Sequence, residues 1–179
     1  MKRIPQFAAL FLLFLFLSAC GAQESGGPVS ASATQGDFKI TFTSAQSVYD
    51  ADSLDPEAPL DLEVRVDYLG REEEVDISHG AFIGNVYLYN AEDTVPTFPT
   101  EGYATYSTLR SGQPTIETHT GAMEYEHMGG LPAGKYTAEA YVSFHVLPCD
   151  WSDWLSSGAS FSDCEKIEAS FELSFEIRD

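Results

Sequence analysis

Ile167-Glu168-Ala169-Ser170-Phe171-Glu172-Leu173-Ser174-Phe175-Glu176-Ile177-Arg178 alternates without a slip. Ile167, Ala169, Phe171, Leu173, Phe175 and Ile177 fall on one side of an extended chain, and the glutamates, serines and Arg178 fall on the other, because successive side chains of a strand point to opposite faces. A period of two over this length predicts a strand with one face packed and the other in water. The same pattern recurs where Phe38, Ile40 and Phe42 alternate with Lys39, Thr41 and Thr43, and where Leu60, Leu62, Val64, Val66 and Tyr68 alternate with Asp61, Glu63, Arg65 and Asp67. A further strand is expected over 135–146, with weaker ones over 74–78, 85–90, 103–109 and 115–125. Gly70, Gly80, Gly84, Ser111-Gly112 and Gly129-Gly130-Leu131-Pro132-Ala133-Gly134 punctuate them as turns. No stretch carries a helical period. About eight strands and turn-rich connections predict an all-β domain built as an antiparallel β-sandwich.

The chain ahead of these strands is of a different kind. Lys2 and Arg3 precede an unbroken apolar run from Phe7 to Leu17, within the roughly 7–15 residues of a signal-peptide core and short of the roughly 20 needed to span a bilayer. Leu17-Ser18-Ala19-Cys20 follows, and it is similar to the bacterial lipoprotein motif of a large aliphatic residue, two small ones and the modified cysteine. An ordinary secretory signal also accepts small residues here, but only the lipoprotein pathway requires the cysteine after them. The resemblance implies that residues 1–19 are a leader, that Cys20 becomes the first mature residue with a thioether-linked diacylglycerol, and that the protein works outside the cytoplasm, held to a membrane by lipid. Residues 20–36 are rich in Gly, Ser and Ala and read as a flexible tether. Residues 37–179 remain as one domain, long enough for a sizeable core.

The cysteine count agrees with this division. Three cysteines leave an odd thiol in an oxidising compartment, and lipidation of Cys20 removes it. Cys149 and Cys164 then pair as a disulfide expected to persist in an exported protein. Closing a loop of about 15 residues contributes roughly 3 kcal/mol in the chain-entropy description. A metal or redox pair is the alternative, but the spacing is not Cys-x-x-Cys and no histidine cluster lies nearby in the chain.

The formal charge is -19. Removing the leader takes away Lys2 and Arg3 and no acid, leaving 28 acidic against 7 basic residues. Nucleic acid is an unsuitable partner, because phosphate binding needs clustered Lys and Arg. Docking of the protein surface on anionic lipid is disfavoured for the same reason, so membrane attachment rests on the acyl chains.

Leu131-Pro132-Ala133-Gly134-Lys135-Tyr136-Thr137-Ala138-Glu139-Ala140 resembles the aliphatic-Pro-x-Gly-x-Tyr lead into a late strand of bacterial immunoglobulin-like domains. The Asp61–Tyr68 stretch followed by Glu74-Val75-Asp76-Ile77-Ser78-His79-Gly80 resembles their early strand layout. In this respect the chain is similar to the intracellular proteinase inhibitor family of Gram-positive bacteria and to lipoproteins carrying such a domain. The resemblance implies an immunoglobulin-like sandwich, and an inhibitory loop at the cell envelope as one functional alternative.

Catalytic chemistry finds little foothold. There is no Gly-x-Ser-x-Gly elbow, and carboxylate pairs for glycoside hydrolysis depend on a separation in space. Asp50-Ala51-Asp52-Ser53-Leu54-Asp55-Pro56-Glu57 offers oxygen ligands to calcium but departs from EF-hand spacing at Leu54 and Asp55, and it reads as a solvated acidic loop. His79, His119, His127 and His145 show no zinc spacing. The expectation is therefore a protein without enzymatic activity, cofactor or bound metal. Its candidate binding residues are Trp151, Trp154 and Phe161, which lie between Cys149 and Cys164 and include both tryptophans of the chain. Rigid aromatic side chains on a stapled loop favour recognition of a protein or glycan; the alternative is that they form a small satellite core.

Overall fold

The computed structural model describes residues 26–90 and 104–179. The leader, Cys20, Phe98 and Tyr103 lie outside the described residues. Among the described residues nine strands form in chain order: β1 (Val29–Gln35), β2 (Phe38–Ser44), β3 (Val48–Asp50), β4 (Leu62–Tyr68), β5 (Glu74–Asn90), β6 (Thr105–Arg110), β7 (Thr115–His119), β8 (Gly134–Val146) and β9 (Glu165–Arg178). Two short helices, α1 (Ala122–Met128) and α2 (Trp151–Ser157), sit in the connections on either side of β8.

The strands make a sandwich of two sheets, one ordered β1-β2-β4-β7 and the other β3-β9-β8-β5-β6. Period two decides which residues meet between them. Ile40, Phe42, Val64 and Val66 from the first sheet face Ile77, Ala138, Ala140, Val142, Phe144 and Ile167 from the second, all almost fully buried. All neighbouring strands run antiparallel except β3 and β9, which pair in parallel. The chain leaves β2 in one sheet and joins the opposite sheet through β3, as the first strand of an immunoglobulin-like sandwich does when it switches sheets.

Tyr136 marks the same architecture. It lies near the start of β8, its ring buried against Phe175 at 5.5 Å, and its hydroxyl donates to the Pro132 carbonyl at 2.8 Å. A tyrosine bonded back to the backbone a few residues upstream at this corner is a hallmark of the immunoglobulin sandwich.

Three features differ from the sequence expectation. The stretch expected to be tether contains β1, whose Val29 and Ala31 pack against the core and whose whole length pairs with β2. Its small residues conceal a two-residue hairpin, turned by Gly36 at φ 55 with Gly in the first turn position. The weak strands expected over 74–78 and 85–90 are one long β5, offset in register between His79 and Gly84. The last strand of the first sheet stops at His119 and the chain turns into α1, so 115–125 is half strand and half helix. Gly84 is required at the offset, because a Cβ there would stand 2.8 Å from Val64 Cγ1 on the facing sheet.

Changing Tyr136 to Phe removes the hydroxyl's bond to the Pro132 carbonyl and its interaction with the Asn90 side chain, and no ring contact. A loss of about 1 kcal/mol is expected, seen as a melting temperature lower by roughly 3 °C; an unchanged melt would show that the corner contributes no stability.

Candidate binding face

The β8–β9 ladder runs from Gly134 opposite Ile177 at one end to Val146 opposite Glu165 at the other. The two ends serve different parts of the chain. At the first, Ser47 N donates to Gly27 O and Glu176 N donates to Ser47 O, so the described N-terminal segment enters beside Gly134. At the second, the chain leaves β8 for the Cys149–Cys164 excursion that carries α2. The 13 residues of β8 span roughly 40 Å at about 3.3 Å each, which separates Gly27 from α2 by nearly the length of the domain.

α2 is fastened at its start. Asp150 is its N-cap and accepts from the Ser152 N–H at 2.9 Å and the Ser152 hydroxyl at 2.6 Å. Those bonds hold the Asp150 carboxyl below its ordinary range. Asp76, on the outer face of β5, accepts from Trp151 N at 2.9 Å with one oxygen and from the Thr108 hydroxyl at 2.6 Å with the other. The helix therefore lies against the outer face of the second sheet, over the cross-strand row of Tyr106, Ser78 and His145.

The three aromatic residues expected to act together are divided. Trp154 is 5 % exposed and packs on Phe161 at 4.5 Å and Tyr106 at 6.4 Å; it is the centre of a satellite core. Phe161 is half-buried between Trp154 and His145, 5.2 Å from the latter. Trp151 is 43 % exposed and stacks on Tyr106, with ring centroids 6.0 Å apart and planes 24° from parallel. Leu155, one helical turn on, is also exposed. Trp154 thus packs, while Trp151 on the same seven-residue helix stays exposed.

Cys149 and Cys164 are free thiols in this structure, the first exposed and the second half-buried. They lie close enough to interact electrostatically, and burial pushes the Cys164 thiol up. The Trp154 indole N–H is buried and forms no full hydrogen bond, yet it is near enough to Cys164 to favour its thiolate against that burial.

A second cluster, unmarked by any sequence motif, lies between the sheets. Glu117 on β7 points inward and accepts from Ile83 N at 2.8 Å and Gly84 N at 2.9 Å, one oxygen for each. It clamps the register offset of β5 to the edge of the opposite sheet and satisfies two amides that the offset frees. His79 and His119 flank it. His79 Nε2 bonds to Ser107 Oγ at 2.8 Å, and His119 packs edge-on against Phe82 at 5.4 Å. His79 Nδ1 and His119 Nε2 are buried and form no full hydrogen bond, although the backbone of Gly80 and Phe82 lies near enough to His79, and that of Gly84 to His119, to favour the charged rings. Burial holds both imidazoles below their ordinary range, offset in part by the charge of Glu117. Beyond His119 a cavity of about 390 Å³ opens between Leu62, Phe82, Leu88 and Met123. Only the alternation of Thr115-Ile116-Glu117-Thr118-His119 hinted that Glu117 and His119 share a face.

In the acidic loop Asp50 accepts from Asp52 N at 3.1 Å and Asp55 from Glu57 N at 2.9 Å, so these carboxylates cap local backbone. Among the described residues no three His, Cys, Asp or Glu side chains converge as a metal set, and no helix is long and apolar enough to cross a membrane. No protein-family model matches this chain, and no curated protein matches it.

Trp154→Ala is expected to cost about 3–5 kcal/mol, as for other buried tryptophans, and Trp151→Ala less than about 1 kcal/mol. Chemical denaturation of both variants checks this, and equal losses would contradict the division of roles. The histidines make a pH prediction. The folded state holds them neutral, whereas the unfolded chain takes up protons at the ordinary value of 6.5. Their contribution is complete above that value and is lost as pH falls from there towards the lowered folded values. Melting temperature should drop between about pH 7.5 and pH 5.5, and a His79→Gln/His119→Gln variant should flatten the drop.

Proposed function

We propose that this chain is a lipid-anchored extracytoplasmic binding module that acts without catalysis, and that it presents Trp151 to a partner at the end of the sandwich remote from Gly27, where the described N-terminal segment enters. The observation that carries this reading is the exposed Trp151–Tyr106 stack on a helix fastened through Asp76 and seated on Trp154. A tryptophan left in water on an immobilised backbone is an expensive surface unless something covers it, and it offers contact area with little entropy left to lose.

The lipoprotein motif ending at Cys20 supports the anchoring half of the proposal, and the acidic domain supports an orientation in which the body stands off an anionic bilayer. In the exported protein Cys149 and Cys164 join as a disulfide, each thiol giving up a proton and an electron to an envelope disulfide oxidant. That bond closes the base of the α2 excursion and holds Trp151 in position.

Two measurements test the proposal. Cells fed labelled fatty acid should label the wild-type protein and leave Cys20→Ala unlabelled; equal labelling of both would refute the anchor. A pull-down from envelope extracts should lose its captured partner with Trp151→Ala while the variant's melting temperature stays near that of wild type, and undiminished capture would refute α2 as the binding element.

A further inference from the structure

We infer that the partner surface taken by α2 is cationic: a lysine- or arginine-bearing protein segment whose charged head rests on the free face of Trp151. This rests on the binding-module reading above and names the chemistry of what that module holds.

Three observations converge on it. The aromatic surface is of the right kind, since tryptophan has the strongest ring quadrupole for a cation and one face of Trp151 is already covered by Tyr106, leaving the other to solvent. The surroundings have the right sign. Asp76 bonds to the Trp151 amide, Asp150 caps the helix, Asp153 lies in its first turn, and Asp163 and Glu165 close the excursion. The cations on this part of the outer sheet face are already engaged, Arg110 with Glu74 at 3.1 Å and Lys166 with Glu168 at 2.7 Å, so the field left over around Trp151 is negative. Lastly, the patch has the right mixture of groups. Leu155 beside Trp151 accommodates an aliphatic stem, as a lysine or arginine side chain provides when its head is held by charge.

A glycan is the competing occupant for an exposed tryptophan. Carboxylates accept from sugar hydroxyls as well, but a neutral glycan gains nothing from the unbalanced negative charge around Trp151, whereas a cation does. A net negative rim also steers cations towards the site from a distance and makes association dependent on salt.

The test uses the full-length protein in nonionic detergent micelles, titrated calorimetrically with a lysine-rich decapeptide, the same peptide with glutamate for lysine, and an N-acetylglucosamine oligomer. The lysine peptide should bind, weaken as salt is raised, and weaken at least tenfold in Trp151→Ala and several-fold in Asp153→Asn. Asp55→Asn, which removes the same charge from a remote loop, should bind like wild type. Lysine-peptide binding that survives Trp151→Ala, or that falls as much in Asp55→Asn as in Asp153→Asn, would overturn the inference by showing diffuse attraction. No binding of the lysine peptide would overturn it outright. If the sugar oligomer alone binds and Trp151→Ala abolishes it, the cationic partner is wrong while the binding module stands; if envelope capture also ignores Trp151, both are wrong.

Discussion

Thirteen consecutive residue pairs join β8 to β9, with Tyr136, Ala138, Ala140, Val142 and Phe144 facing inward opposite Phe175, Leu173, Phe171, Ala169 and Ile167. This ladder is the constraint on which the rest of the molecule depends. Because a slip of one residue would turn every inward side chain to water, the register is held along its full length by the core it fills. The remaining strands of the second sheet build outward from the pair, β3 onto one end of β9 and β5 along β8. The two ends of the ladder also fix where chemistry occurs. One end receives Gly27 and the tyrosine corner, and the other releases the excursion that carries Trp151.

The sandwich has two open sides, and they are closed by different means. On one, β1 lies along β9, and the Gln35 side chain accepts from Glu168 N at 3.1 Å. On the other, β7 is tied to β5 by the Glu117 carboxylate. A carboxylate accepting two amides is a stronger link than two neutral bonds, and here it stands in for the strand pairing that the β5 offset interrupts. The buried histidines beside it follow from alternation: His79 pairs with inward-facing Phe144 just before the offset, and His119 pairs with inward-facing Leu62.

Much of the fold was legible because alternation is a long-range signal. β2, β4, β8 and β9 follow from it, as does the choice of an antiparallel sandwich. β1 was hidden because an edge strand of Ser, Ala and Thr buries too little to alternate. α1 and α2 were hidden because seven residues are too few for a helical period; α1 starts at Gly121 without a side-chain cap, and the Asp150 cap of α2 becomes decisive only with the tertiary bond from Trp151 N to Asp76. The aromatic cluster of the α2 excursion was legible as a location, through the concentration of tryptophan between two cysteines. Which tryptophan packs and which stays in water was not, since both meet Tyr106 and they differ only in that Trp154 also meets Phe161 and is covered by it. For Glu117 alternation gave only its shared face with His119, because a glutamate on a strand reads as solvent-facing until the strand opposite is known.

The proposed anchor gives the domain a direction. A leader-processed chain anchored at Cys20 would enter the sandwich at Gly27, and an acidic body with Trp151 roughly 40 Å further on, at about 3.3 Å per residue along β8, would project that residue from the membrane. Depth-dependent quenching tests this most directly. In proteoliposomes recovered by co-flotation, a Trp154→Phe variant leaves Trp151 as the single tryptophan, and lipids bearing quenchers at the headgroup or along the acyl chain report its distance from the bilayer. The account predicts no quenching by either lipid. Quenching of Trp151 by headgroup or acyl-chain labels would mean that α2 faces the membrane, and would contradict it.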